Sequence, residues 1–368
     1  MVMKKFTIIG LFIGILSAVS CSKEAAGVPG DADLSAVTFW AESGSGSRAA
    51  GQMDEIAVDG YKIGVFAYDT GLYPYSDSNL NPNFMYNQDV AYNATEGRWE
   101  YFPVKYWPNG DGQAVGHTGE WAGMLSFFAY APFSNQDPAD DAGFCIPTIS
   151  SPFEPGNPWV IYRIHEDVTK QVDLLCAIPV VDQTKPDVSS RINFVFSHAL
   201  ACVGEQVRVT AGSSLESSLE RDVTDHGGSA QVILNEVRVK YTLTERAKLT
   251  LWSPGGALNR WSPVLNGEPT TERTVTYGTG LSHLLYSTDP ADDAGLWTSP
   301  ESMGVFYIPM DIVDHPQTAT ISVDYTVRRT RGMTTETRYT KESSFLLRSY
   351  PESFAPGHKL SNLGLTIN

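Results

Sequence analysis

Basic residues are scarce in this sequence. The 368 residues include 26 lysines and arginines against 42 aspartates and glutamates, a formal net charge of −16. Phosphate recognition needs concentrated Lys and Arg, so nucleic acid is excluded as a partner. An acidic surface instead keeps an exported chain soluble. Cysteine is also sparse, with four residues: Cys21, Cys145, Cys176 and Cys202. No CxxC pair and no Cys/His spacing of a metal site occurs. The last three cysteines are far apart and odd in number, which favours buried free thiols. A disulfide between two of them stays open, with no pair preferred.

Catalytic signatures are missing as well. There is no GxSxG elbow, no HExxH, and no glycine loop opening a helix to cradle phosphate. His165, Glu166 and Asp167 are consecutive, and neighbours on a strand point to opposite faces, so they read as a solvated triplet rather than metal ligands. His198 follows a strong strand and reads as a structural histidine. Paired carboxylates for glycoside cleavage need only meet in space, and nothing marks such a pair. The expectation is a protein with no catalytic residue, no metal and no cofactor.

Long apolar runs are absent except for one, Phe6 to Val19, which is preceded by Lys4 and Lys5. It is too short to span a bilayer, which takes about 20 apolar residues, and has the length of a signal peptide. Ala18 and Ser20 are small, and Cys21 follows at once. This pattern reads as a lipobox: residues 1–20 are the signal peptide and Cys21 carries the lipid. Each buried CH₂ of an acyl chain contributes about 0.8 kcal/mol, so two or more chains anchor stably. Residues 21–36, small and polar with Gly and Pro, read as a tether.

What is abundant is strand. "AVTFWAE" (36–42), "YKIGVFAY" (61–68) and "MLSFFAYAP" (124–132) are apolar and rich in β-formers. Ile192, Phe194 and Phe196 fall on one face of "INFVF"; Val237, Val239, Tyr241 and Leu243 fall on one face of "EVRVKYTL". Ala319, Ile321, Val323, Tyr325 and Val327 alternate with polar residues, and "RTRGMTTETRYT" turns the chain into a partner strand. Period two with β-branched and aromatic residues marks half-buried antiparallel strands. No helical periodicity extends beyond two or three turns. The chain is longer than one core usually holds. The expected fold is therefore all-β, as two antiparallel β-sandwich domains in series, residues 37–187 and 188–368, with the border in the polar stretch "VVDQTKPDVSSR".

Two further features invite functional readings. "DPADDAG" occurs at 137–143 and again at 289–295, but it lacks the alternating ligands and closing glutamate of a calcium loop, so it reads as solvated turns. Trp99, Tyr101, Tyr106, Trp107 and Trp121 cluster in the first half, and Trp252 and Trp261 in the second. Exposed rings of this kind stack on sugars, whereas buried ones fill a core.

Several phrases together resemble the fimbrillin family, the fimbrial subunits of certain Gram-negative anaerobes and their lipoprotein relatives. They are "CSKE" at the lipobox, "VTFWAESGSGSRA", "DGYKIGVFAY", "YWPNG" with "LSFFAYAP", "DLLCA", "INFVFSHALACV" and "FAPGHKLSNLGLTIN". The resemblance implies transthyretin-like sandwich domains and a lipoprotein exposed on the outer membrane through Cys21. It also implies proteolysis after Arg48, leaving Ala49 as the new N-terminus. The first strand, with Val37 and Phe39, then departs, and a strand from another fimbrial subunit fills the groove. Its partners would be other fimbrial subunits, outer-membrane lipid and a host or bacterial surface ligand. The Gly, Ser and Ala around Arg48 suit protease access; the alternative is a loop arginine in a permanently anchored protein. The terminal "LGLTIN" reads as a last domain strand rather than a donor tail, which favours a tip, accessory or anchor subunit. A monomeric surface glycan-binding lipoprotein of a polysaccharide uptake system is the alternative function.

Overall fold

The structure, a computed structural model, describes residues 36–43, 58–76, 80–108, 123–135, 144–185, 191–253, 260–264, 269–301, 304–311, 314–331, 333–350 and 354–368. All lie within one compact unit, Ser35–Asn368. The first half supplies β1 (Thr38–Ser43), β2 (Lys62–Gly71), β3 (Met85–Asn93), β4 (Arg98–Glu100), β5 (Met124–Ala131), β6 (Thr148–Ile149), β7 (Trp159–Arg163), β8 (Leu175–Ala177) and β9 (Val180–Gln183). Then come β10 (Arg191–His198), β11 (Ala201–Ala211), helix α1 (Ser213–His226), β12 (Ser229–Thr244), β13 (Arg246–Thr250), β14 (Trp261–Ser262) and β15 (Thr270–Gly278). The chain closes with β16 (His283–Ser287), β17 (Trp297–Thr298), β18 (Val305–Tyr307), β19 (Thr318–Arg331), β20 (Met333–Leu346) and β21 (Lys359–Ile367).

The expected strands form where alternation placed them. Ile192, Phe194 and Phe196 are buried on β10, as are Val237, Val239, Tyr241 and Leu243 on β12. On β19, Ala319, Ile321, Val323, Tyr325 and Val327 all point inward, and the β19–β20 hairpin pairs in unbroken register from Thr318↔Leu346 to Arg331↔Met333. The all-β class holds.

The sheets are less local than two sandwiches in series would make them. One sheet runs β1-β10-β8-β5-β2-β3-β4, with β9 on β5. Strand β10 lies beyond the expected border near 187, in a stretch partly outside the described residues, yet it pairs with β1 and β8. A second sheet, β14-β13-β7-β6, joins residues near 160 to residues near 250. Two pairings are parallel rather than antiparallel, β1 on β10 and β21 on β11.

The central strands explain this arrangement. Along β2, Ile63, Val65 and Ala67 enter one core while Phe66 and Tyr68 enter another. Along β5, Leu125, Phe127 and Ala129 enter the first and Phe128 and Tyr130 the second. Opposite faces of a strand separate by period two, so both strands are buried on both sides. The second core continues through Tyr241, Val323, Tyr307 and Ile367, binding the two halves of the sequence together. Gly64 belongs to this packing: a Cβ there would collide with the ring of Tyr130, whose hydroxyl donates to Asn87 Oδ1 at 2.8 Å.

One element departs from expectation. Helix α1 runs for 14 residues, longer than the two or three turns that periodicity suggested. Its inward stripe is narrow, with Leu219 buried and Leu215 and Val223 packed at the edge of the core. The rest of its surface is polar, which leaves little apolar signal. Asp222 holds it to the β19–β20 hairpin, accepting from Arg329 Nε at 3.0 Å and from Arg331.

Candidate functional site: the leading strand and its groove

Strand β1 sits at the rim of the first sheet. It runs parallel to β10 in a register from Thr38↔Arg191 to Ser43↔Phe196, and β10 is the one described strand that pairs with it. Strand β8 pairs only with the far end of β10, from Phe196 to His198. Most of β10 therefore depends on β1 for its ladder on that side, with Ile178 N–H donating to Val195 O at 2.9 Å on the other.

The inward face of β1, with Val37 just before it, explains why the strand stays. Val37, Phe39 and Ala41 are all buried, at 0%, 2% and 2% exposure, whereas Thr38 and Glu42 face solvent. The Phe39 ring lies in an aromatic pocket. It stacks on Phe194 at 5.6 Å and 13°, meets Phe127 edge-on at 6.0 Å, and tilts against Tyr101 at 5.4 Å. Offset and edge-to-face rings contribute about 0.5–1.5 kcal/mol per pair beyond buried area. On the outer face, the Arg191 guanidinium lies over the Trp40 ring at 5.3 Å.

The segment after β4 closes the other side of the groove. Val37 N–H donates to Lys105 O at 2.9 Å, and Ala36 bridges Tyr106. The Tyr101 hydroxyl donates to Val37 O at 2.8 Å and accepts from Lys105 N–H at 3.2 Å. Burial raises the Tyr101 phenol to about 12, against a smaller opposing effect of the Lys105 backbone bond. One hydroxyl thus ties the start of β1 to the loop beside it. Sequence alternation brought out Phe194 and the apolar run holding Phe127, but Tyr101 carried no signal of its own: it looked like one aromatic in a cluster.

Several other expected features have clear positions. Cys145, Cys176 and Cys202 are buried, and no disulfide joins any two of them; burial raises the Cys176 thiol, partly opposed by Arg260, whose Nη1 lies 2.9 Å from its sulfur. The triplet at 165–167 makes a turn: Asp167 N–H donates to His165 Nδ1 at 2.9 Å, and Asp167 Oδ1 caps a short 3₁₀ turn by accepting from Thr169 N–H at 3.0 Å. His198 is structural, its Nδ1 2.5 Å from Asp173 Oδ2 with both side chains buried. In the second "DPADDAG", Asp292 Oδ2 accepts from Gln231 Nε2 at 2.8 Å and Ser287 Oγ at 2.6 Å, which makes the stretch a tied-down turn. Among the described residues no group of three or more His, Cys, Asp or Glu could hold a metal ion.

The aromatic cluster takes the core-filling reading. Trp99, Trp107 and Trp261 are buried at 4%, 2% and 9% exposure, while Tyr106 is exposed. Trp261 Nε1–H donates to Ala199 O at 3.0 Å. These three side chains are packed inside the two cores, and so they present no platform for a sugar. Trp121, Cys21, Arg48, Ala49 and the first "DPADDAG" lie outside the described residues.

No family model matches the chain, and no curated protein does. Solved structures do match. A fimbrial protein from Bacteroides vulgatus aligns with a TM-score of 0.55 and 19% identity, covering 83% of this chain and 88% of that one. A candidate cell adhesion protein from Bacteroides uniformis aligns at a TM-score of 0.38 and 16% identity, covering 90% and 93%. A candidate adhesin from Bacteroides ovatus gives 0.40 and 10%, covering 91% and 88%. The first likeness shows a shared fold.

Proposed function

We propose that this chain is a cell-surface adhesion protein of fimbrial type, held in the outer membrane by lipid on Cys21, that assembles with other subunits by strand exchange. Cleavage after Arg48 makes Ala49 the new N-terminus and frees β1. A strand from another subunit then takes its place, and the protein serves as a tip, accessory or anchor subunit, non-catalytic and without a cofactor. The observation that carries this reading is the position of β1: the leading strand of the compact unit lies at a sheet rim and, among the described strands, pairs with β10 alone. Its removal would uncover the ladder groups of β10 and an apolar groove lined by Phe127, Phe194 and Tyr101. An unpaired edge beside an apolar groove is a template for another strand. Arg48 lies five residues past the end of β1, so a cut there severs β1 from the rest of the fold without touching a described strand.

The reading is tested with chain taken from cells. An Arg48→Ala variant should accumulate as full-length lipidated protein and fail to join assemblies; wild-type-like processing and assembly by that variant would refute it. The glycan-binding alternative gains no support from the buried tryptophans.

A further inference from the structure

Strand β1 records in its own side chains what its groove accepts. The three inward positions differ in size: a branched aliphatic at Val37, an aromatic at Phe39 and a methyl at Ala41. The middle position faces three rings at once, from Tyr101, Phe127 and Phe194. An aliphatic side chain there would lose ring–ring contact and leave unfilled volume. The third position is level with Phe194, whose ring packs against both Phe39 and Phe196. Those rings occupy the space beside the small methyl, and an interior packed at crystal density accepts no added branches without strain.

The other parallel rim strand of the same chain has a different inward pattern. Strand β21 buries Leu363, Leu365 and Ile367. In neither of its two facings does it offer an aromatic followed two residues later by a small side chain. Threaded into the β1 groove, it would place leucine among the rings, and a leucine or isoleucine where Ala41 sits.

We propose that the groove beneath β1 selects a partner strand of the pattern aliphatic-x-aromatic-x-small, and so rejects the β21 segment of a second copy as its donor. This rests on the strand-exchange reading, and the test separates the two. The full chain is cut at Arg48 with an arginine-specific protease, cleavage is verified by mass, and displacement of β1 is followed with fluorescent synthetic peptides. One peptide copies residues 35–44. Others carry Phe39→Leu or Ala41→Ile in that sequence, and one copies residues 359–367.

The native peptide should enter the groove. The Phe39→Leu peptide should bind about tenfold more weakly. The Ala41→Ile and 359–367 peptides should bind at least about tenfold more weakly. Entry of the 359–367 peptide at native affinity, or of either substituted peptide, would overturn the selectivity while leaving strand exchange standing. Failure of the native peptide itself to exchange would overturn strand exchange, and the selectivity with it.

Discussion

Phe39 stacks on Phe194, ring centroids 5.6 Å apart and planes inclined by 13°. The two residues belong to strands separated by some 150 positions in the sequence, joined only because β1 closes the rim of the first sheet beside β10. The pair concentrates the hold on the leading strand, and several expectations follow from what surrounds it.

Truncating Phe39 to alanine removes the ring that Tyr101, Phe127 and Phe194 enclose. A buried Phe→Ala change costs about 3–5 kcal/mol through lost transfer energy and the cavity left behind. Urea unfolding of the Phe39→Ala variant should show a loss of that size. A change below about 1 kcal/mol would mean that the groove collapses around the gap.

The Tyr101 hydroxyl gives the rim a pH dependence. Its phenol is raised from an ordinary value of 10.0 to about 12, chiefly by burial, so the folded state favours the neutral form. Its contribution to stability is complete below pH 10 and is lost as pH rises from there through about 12. Alkaline titration followed by tyrosinate absorbance should show this phenol ionising late. In Tyr101→Phe the Val37 carbonyl loses its donor, which costs about 1–2 kcal/mol at neutral pH.

His198 and Asp173 form a buried hydrogen-bonded pair at the point where the first sheet hands over to β11. Breaking such a pair from one side is expensive because the remaining polar group stays buried. Asp173→Ala should destabilise the fold by about 1–3 kcal/mol in chemical denaturation. A matched replacement of both side chains by apolar residues should recover much of that loss.

Much of this fold was legible residue by residue. Period-two alternation marked the inward faces of β10, β12 and β19, because a strand with one wet face must alternate. The apolar runs of β2 and β5 were visible as strands, but not as strands buried on both faces, since a continuous run does not say what covers it. Long-range pairing was hidden for the same reason: nothing in residues 159–163 names Arg246–Thr250 as their partner. Helix α1 escaped notice because a single stripe of Leu215, Leu219 and Val223 in a polar surround resembles a loop. In the groove itself, Val37 and Phe39 stood out as strand residues, and Arg48 as a loop arginine beside them. Tyr101 and Lys105 could be joined to them only by the hydrogen bonds of the folded chain.

The most direct measurement of the central claim is intact-mass and N-terminal analysis of the protein recovered from cell-surface assemblies. The account predicts two forms: a precursor lipidated at Cys21, and an assembled form that begins at Ala49, has lost β1 and is held to a strand of another subunit. An assembled form that keeps residues 21–48, with β1 still seated against β10, would contradict it.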